Sequence, residues 1–188
     1  MSDLHTKQDT QVKFRPHIGM RNMKTAISAT LVAFLYFLIK RNPTFACIGA
    51  VFGMGRDMED SKLNGGNRLF GTIFGGVIGM LLFPVYTLFY PDGGHHMLLL
   101  VFIFIGIILL VLTSLFFQWP GAIQPGGVVL CIILLNTPVD TYMSYSLNRI
   151  LDTAVGVIVS ILINYWSPRE RVVHVLTKMG LRKHEDKQ

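Results

Sequence analysis

From Met97 to Val139 the chain carries no Asp, Glu, Lys or Arg, a run of 43 residues. In water such a run would have to form an apolar core with nothing to cover it. In a bilayer, about 20 apolar residues in a helix cross a hydrocarbon layer roughly 30 Å thick. The run therefore has room for one crossing, a break and a second segment. The rest of the chain agrees: 51% of residues are hydrophobic and 15% charged, against about 25% charged in soluble domains. The sequence predicts an all-α integral membrane protein whose surroundings are the lipid bilayer. Little chain is left for a soluble catalytic domain, so no enzyme chemistry is expected.

The net charge of +6 and pI near 9.5 do not point to nucleic acid, because the Lys and Arg residues sit in tails and loops between apolar stretches. Cys47 and Cys131 both lie inside apolar segments, which argues against a disulfide framework or a zinc site. His95-His96 lacks a third ligand at a useful spacing. No metal and no cofactor are expected. The first 25 residues are polar and show no cleavable signal.

Six apolar segments can be read. An amphipathic lead-in (Phe14 to Lys24) enters the first, Thr25 to Ile39, and Lys40-Arg41-Asn42-Pro43 breaks it. A short second segment runs from Pro43 to Gly55, followed by a charged loop, Arg56 to Asn67. The third, Leu69 to Tyr90, ends at Pro91-Asp92-Gly93-Gly94. The fourth covers Met97 to Trp119. After a Pro/Gly-rich break the short fifth ends near Asn136, and the sixth runs from Leu147 to Trp166. If all six span with both ends inside, 14 Lys/Arg lie inside and 3 outside; if the short ones only dip into the membrane, the division is 11 to 6. The positive-inside rule prefers six spans, with both termini cytoplasmic. The expected organisation is a cytoplasmic tail (1–17), two membrane units (18–90 and 97–167) and a basic juxtamembrane tail (168–188). In that last tail Val172, Val175, Leu176 and Met179 share a face suited to the inner leaflet.

The two units read alike. Asn67-Arg68-Leu69-Phe70-Gly71-Thr72-Ile73-Phe74-Gly75 opens the third segment and Asn148-Arg149-Ile150-Leu151-Asp152-Thr153-Ala154-Val155-Gly156 the sixth, with Asn, Arg, Thr and Gly in register 81 residues apart. Each is preceded by a short Pro-led segment holding a cysteine, and that by a longer span. Three spans per unit is odd, so the second copy enters from the opposite side and the repeats are inverted.

Arg68 and Arg149 are the leading candidates for a substrate or pore site, with Asn67, Asn148, Thr72 and Thr153 beside them. Each arginine is expected to start a long helix. It either snorkels to headgroups or faces inward and attracts an anion with help from the helix start. Asp152 stands three residues after Arg149 on one helix face; it either pairs with that arginine or acts as a coupling carboxylate. Gly71 occupies its position in the first unit. Gly71, Gly75 and Gly79 form a small-residue stripe for close helix packing, as do Gly49, Gly53 and Gly55. Gln118, Trp119 and Gln124 flank the fifth segment and could line a cavity.

The lead-in Ile18-Gly19-Met20-Arg21-Asn22-Met23-Lys24-Thr25-Ala26-Ile27 resembles the opening of the aromatic acid exporter family, related to fusaric acid resistance (FUSC-like) proteins. So do Asn42-Pro43-Thr44-Phe45-Ala46 and the Asn67 to Gly75 stretch. Gly53-Met54-Gly55-Arg56-Asp57 departs from the Met-Gln-Pro-Thr-like stretch often found there. The resemblance implies a six-helix membrane domain in the plasma membrane, a homo-oligomer with a dimer favoured, and efflux of small organic anions, aromatic or amphiphilic. Two alternatives remain at this stage: a passive anion channel, and a membrane scaffold that transports nothing.

Overall fold

The computed structural model describes residues 20–166. They form α1 (Met20–Leu38), α2 (Thr44–Gly53), α3 (Met58–Phe89), α4 (Met97–Phe116), α5 (Ile123–Asn136) and α6 (Tyr142–Trp166), with single 3₁₀ turns at Pro120–Ala122 and Val139–Thr141. No strand occurs among the described residues. The tails expected at 1–17 and 168–188 lie outside them. By length and composition, three helices are able to cross a membrane: α3, α4 and α6 with its preceding turn. α2, with 10 residues, and α5, with 14, are apolar but short, about 15 and 21 Å at 1.5 Å per residue.

Two boundaries differ from the sequence reading. The charged stretch expected as a loop is helical from Met58. The Asp57 side chain caps it by accepting from the Asp60 N–H at 2.8 Å, and Glu59 and Asp60 suit the positive end of the helix. Likewise α6 starts at Tyr142 rather than Leu147. Neither Arg68 nor Arg149 therefore starts a helix. Each lies two or more turns inside one, and the expected help from free N–H groups at a helix start is absent.

Burial is reversed relative to a water-soluble protein. Phe34, Phe37, Leu100, Phe104 and Leu112 on α1 and α4 are exposed, while Ser146, Arg149, Asp152, Thr153, Ser160 and Asn164 on α6 are buried. Apolar surface facing out and polar groups facing in is stable where the surroundings are hydrocarbon.

The helices alternate in direction along the chain. α1 runs antiparallel to α6, with Lys24 at Asn164 and Tyr36 at Asp152. α3 is also antiparallel to α6, with Gly65 against Val157 and Gly76 against Ile150. The short helices pack on elements distant in the chain: α2 chiefly on α6, and α5 chiefly on α3. Glycine makes both contacts close. Gly75 lies against the Gly126 backbone, and Gly156 against the backbone of Ala46 and Ala50. Gly71 faces Pro125 and the Ala122 carbonyl; Gly79 faces Ile133. The small-residue stripe on α3 thus receives α5 of the same chain.

Several contacts recur with the units exchanged. Gly79 on Ile133 corresponds to Ser160 on Gly53. The hydrogen bond from Asn164 to Ser61 (2.7 Å) corresponds to the ring contact of Phe83 with Tyr142 (5.4 Å). The ends of α1 and α4 also match. Lys40 and Gln118 take positive φ values of 53° and 56°. After them, the N–H of Arg41 donates to the Tyr36 carbonyl (3.0 Å) and that of Trp119 to the Ser114 carbonyl (2.8 Å), which is the Schellman closure of a helix.

Candidate anion-binding site

α3 presents Arg68 to a cleft of about 370 Å³. The walls come from three helices and one turn: Phe52 of α2, Asn64, Asn67 and Arg68 of α3, Gly121 of the 3₁₀ turn, and Gln124, Pro125 and Val128 of α5. Gly71 and Gly121 let the turn before α5 pass close to α3, and a side chain at 121 would collide with the Asn67 amide. Arg68 is only 8% exposed. Its guanidinium carbon lies 5.5 Å from the centre of the Phe52 ring. Its Nε is buried without a hydrogen-bond partner, and no carboxylate pairs with it among the described residues. A desolvated guanidinium left unpaired is costly, and a bound anion would remove that cost. The surrounding carboxamides of Asn64, Asn67 and Gln124 can donate to the same ligand, while Phe52, Pro125 and Val128 offer apolar contact.

The second arginine has different surroundings. Arg149 is 7% exposed and stacks against the rings of Phe45 and Tyr145, the latter at 4.1 Å. Its Nη1 is also buried and unpartnered. Asp152 does not pair with Arg149. Its Oδ1 accepts from the Tyr36 hydroxyl at 2.9 Å and meets Arg41 Nη2 at 3.0 Å. The same Arg41 nitrogen donates to Asn148 Oδ1 at 2.9 Å. The reason is tertiary: the turn after α1 brings Arg41 over α6, where residues 148 and 152 share a face. A pairing inferred from spacing on one helix is displaced by a residue more than 100 positions away in the chain.

The equivalent residues therefore do different work. Asn67 lines the cleft, whereas Asn148 is held by Arg41. Thr72 is fully buried and its hydroxyl donates to the Arg68 carbonyl at 2.8 Å. Thr153 is buried where its backbone carbonyl abuts Gly49. Neither threonine lines the cleft. Of the residues flanking the fifth segment, Gln124 does line it; Trp119 instead packs on Phe70, with ring centres 4.5 Å apart. Because Gly76 abuts Ile150 in the antiparallel pair, Arg149 lies near the level of Val77. That is about nine residues, or ~13 Å, along α3 from Arg68.

One polar cluster was not singled out from sequence. Lys24 is 5% exposed and donates to Asn164 Oδ1 at 2.9 Å. The Asn164 amide nitrogen donates to the Asp57 carbonyl and to Ser61 Oγ, both at 2.7 Å. The signal was present as Lys24, Ser28 and Tyr36 on one stripe of an otherwise apolar helix.

With this geometry in view, the comparison with known families is specific. A family model described as aromatic acid exporter family member 1 matches residues 16–166. The chain belongs to the aromatic acid exporter family. The match covers all six helices, and it makes this aromatic acid exporter relative a membrane protein of a transport family. No curated protein and no solved structure matches the chain significantly.

Proposed function

We propose that this chain exports aromatic or amphiphilic carboxylates, binding them at Arg68 in the cleft between α2, α3 and α5. The observation that carries the reading is a buried guanidinium with a free Nε and no carboxylate partner, opening on about 370 Å³. That volume lies in the lower part of the roughly 300–1,000 Å³ range of small-molecule sites. The mixture of carboxamides with Phe52 and Pro125 suits a flat ring bearing one carboxylate. In this reading all six helices thread the plasma membrane, the short α2 and α5 ending in polar surroundings within it, with both termini cytoplasmic, as the positive charge distribution favours. The two units are inverted repeats, supported by the alternation of helix direction and the exchanged contacts. Arg68 then lies toward the cytoplasm and Arg149 toward the outside, with the passage between them.

The test is efflux of labelled benzoate from vesicles containing the purified protein. Arg68→Gln removes a charge-assisted contact worth about 1.5–3 kcal/mol, so apparent affinity should fall about ten- to a hundredfold. Arg68→Lys keeps the charge but loses the planar fork and should be intermediate. Lys62→Gln, an exposed charge six residues earlier on α3, should leave efflux unchanged. Wild-type efflux by a well-folded Arg68→Gln protein would refute the assignment.

A further inference from the structure

We infer that the Arg149 end of the bundle holds a second, latent site for a small organic carboxylate, which the protein's own Asp152 occupies. The inference rests on the reading of Arg68 as the anion site and extends it to the other unit. Two donors converge on Asp152 Oδ1, Arg41 Nη2 at 3.0 Å and the Tyr36 hydroxyl at 2.9 Å, and the same Arg41 nitrogen also donates to Asn148 Oδ1. Beside them, one turn earlier on α6, Arg149 keeps Nη1 buried and unpartnered against the rings of Phe45 and Tyr145. Two guanidiniums and one hydroxyl can hold a carboxylate, and the two aromatic rings can pack on an aromatic ring. A single carboxylate is already seated there, and it is built into α6.

The comparison between units gives this its meaning. The position equivalent to Asp152 is Gly71, which has no side chain and lies against Pro125 and the Ala122 carbonyl. Arg68 therefore has no internal competitor, whereas beside Arg149 the Asp152 carboxylate is tethered at hydrogen-bond distance of Arg41 and takes up the charge an incoming anion would meet. A tethered competitor acts at high effective concentration, so an incoming anion must displace it before it can bind. The two ends thus differ in affinity: tight at Arg68, weak at Arg149. An anion passed from the first to the second is readily released. This sets how fast each end lets go, while the final distribution still depends on the gradients across the membrane.

The experiment is equilibrium dialysis of labelled benzoate against the full chain in lipid nanodiscs, counting equivalents bound. Wild type should bind one tight equivalent, lost in Arg68→Gln. Asp152→Asn keeps the shape and the Tyr36 hydrogen bond but removes the competing charge, and Asp152→Ser removes the carboxyl group. Each should gain a second equivalent, tightened about ten- to a hundredfold relative to wild type and lost again when Arg149→Gln is added. The retained Arg68-dependent equivalent reports that each variant is folded. One equivalent only, in an Asp152 variant that keeps the first, overturns the inference. So does a second equivalent that survives Arg149→Gln. If neither Asp152 variant keeps the first equivalent, wild type decides: a weak second equivalent should appear at high benzoate and vanish in Arg149→Gln, and an isotherm flat at one equivalent overturns the proposal. Failure of the Arg68→Gln control instead removes the parent reading, so the two failures are distinguishable.

Discussion

Replacing Gly156 by alanine adds one methyl group at the tightest glycine contact among the described residues. An ideal Cβ there would overlap the Ala46 carbonyl oxygen and lie 2.8 Å from both the Ala46 carbonyl carbon and the Ala50 nitrogen. All of these are backbone atoms of α2, so no rotamer change relieves the clash and the whole short helix must move. Overpacking of this kind costs about 1–3 kcal/mol, partly offset by the gain of up to ~1 kcal/mol that alanine has over glycine in a helix. At Gly76 the same substitution meets only the Cδ1 and Cγ1 of Ile150, at 3.2 and 3.5 Å. A flexible side chain can yield there, and the helix-propensity gain should dominate. Gly75 faces the Gly126 backbone and should behave like Gly156. Thermal unfolding of the purified variants, followed by loss of the monodisperse peak in size-exclusion chromatography, ranks the three. Gly156→Ala and Gly75→Ala should melt several degrees below wild type, and Gly76→Ala at or above it. Equal melting of Gly156→Ala and Gly76→Ala would refute the claim that backbone contact, and not helix packing in general, sets the requirement for glycine.

Two further outcomes follow from polar groups and backbone strain. Asn164→Leu strands the Lys24 ammonium, while Ser61 Oγ keeps the Gly55 N–H and the Asp57 carbonyl keeps the Ser61 N–H, at about 1–3 kcal/mol for the stranded group; adding Lys24→Met should recover part of the loss in the same melting assay, and no recovery would mean that the ammonium is not the costly group. Gln118 and Lys40 hold positive φ at the ends of α4 and α1, a conformation that costs a side-chain-bearing residue on the order of 1 kcal/mol. Gln118→Gly and Lys40→Gly should therefore each raise the melting temperature, and a lowered one would show that the side chain contributes more than the strain it imposes.

The charge-free run and the scarcity of charge were enough to place the chain in a bilayer, because no arrangement in water covers so much apolar helix. The Pro/Gly breaks also marked the short helices α2 and α5, since those signals are local. Where α3 and α6 begin was harder to read, for a charged stretch capped by Asp57 continues as helix once Asp60 can donate to it. The environments of the two arginines were decided only by tertiary structure. Spacing along α6 put Asp152 beside Arg149, yet the turn after α1 delivers Arg41 to that carboxylate and leaves Arg149 stacked on Phe45 and Tyr145. Sequence fixes which charges must enter the membrane; only the packing of distant helices determines which of them are neutralised there and which remain free for a ligand.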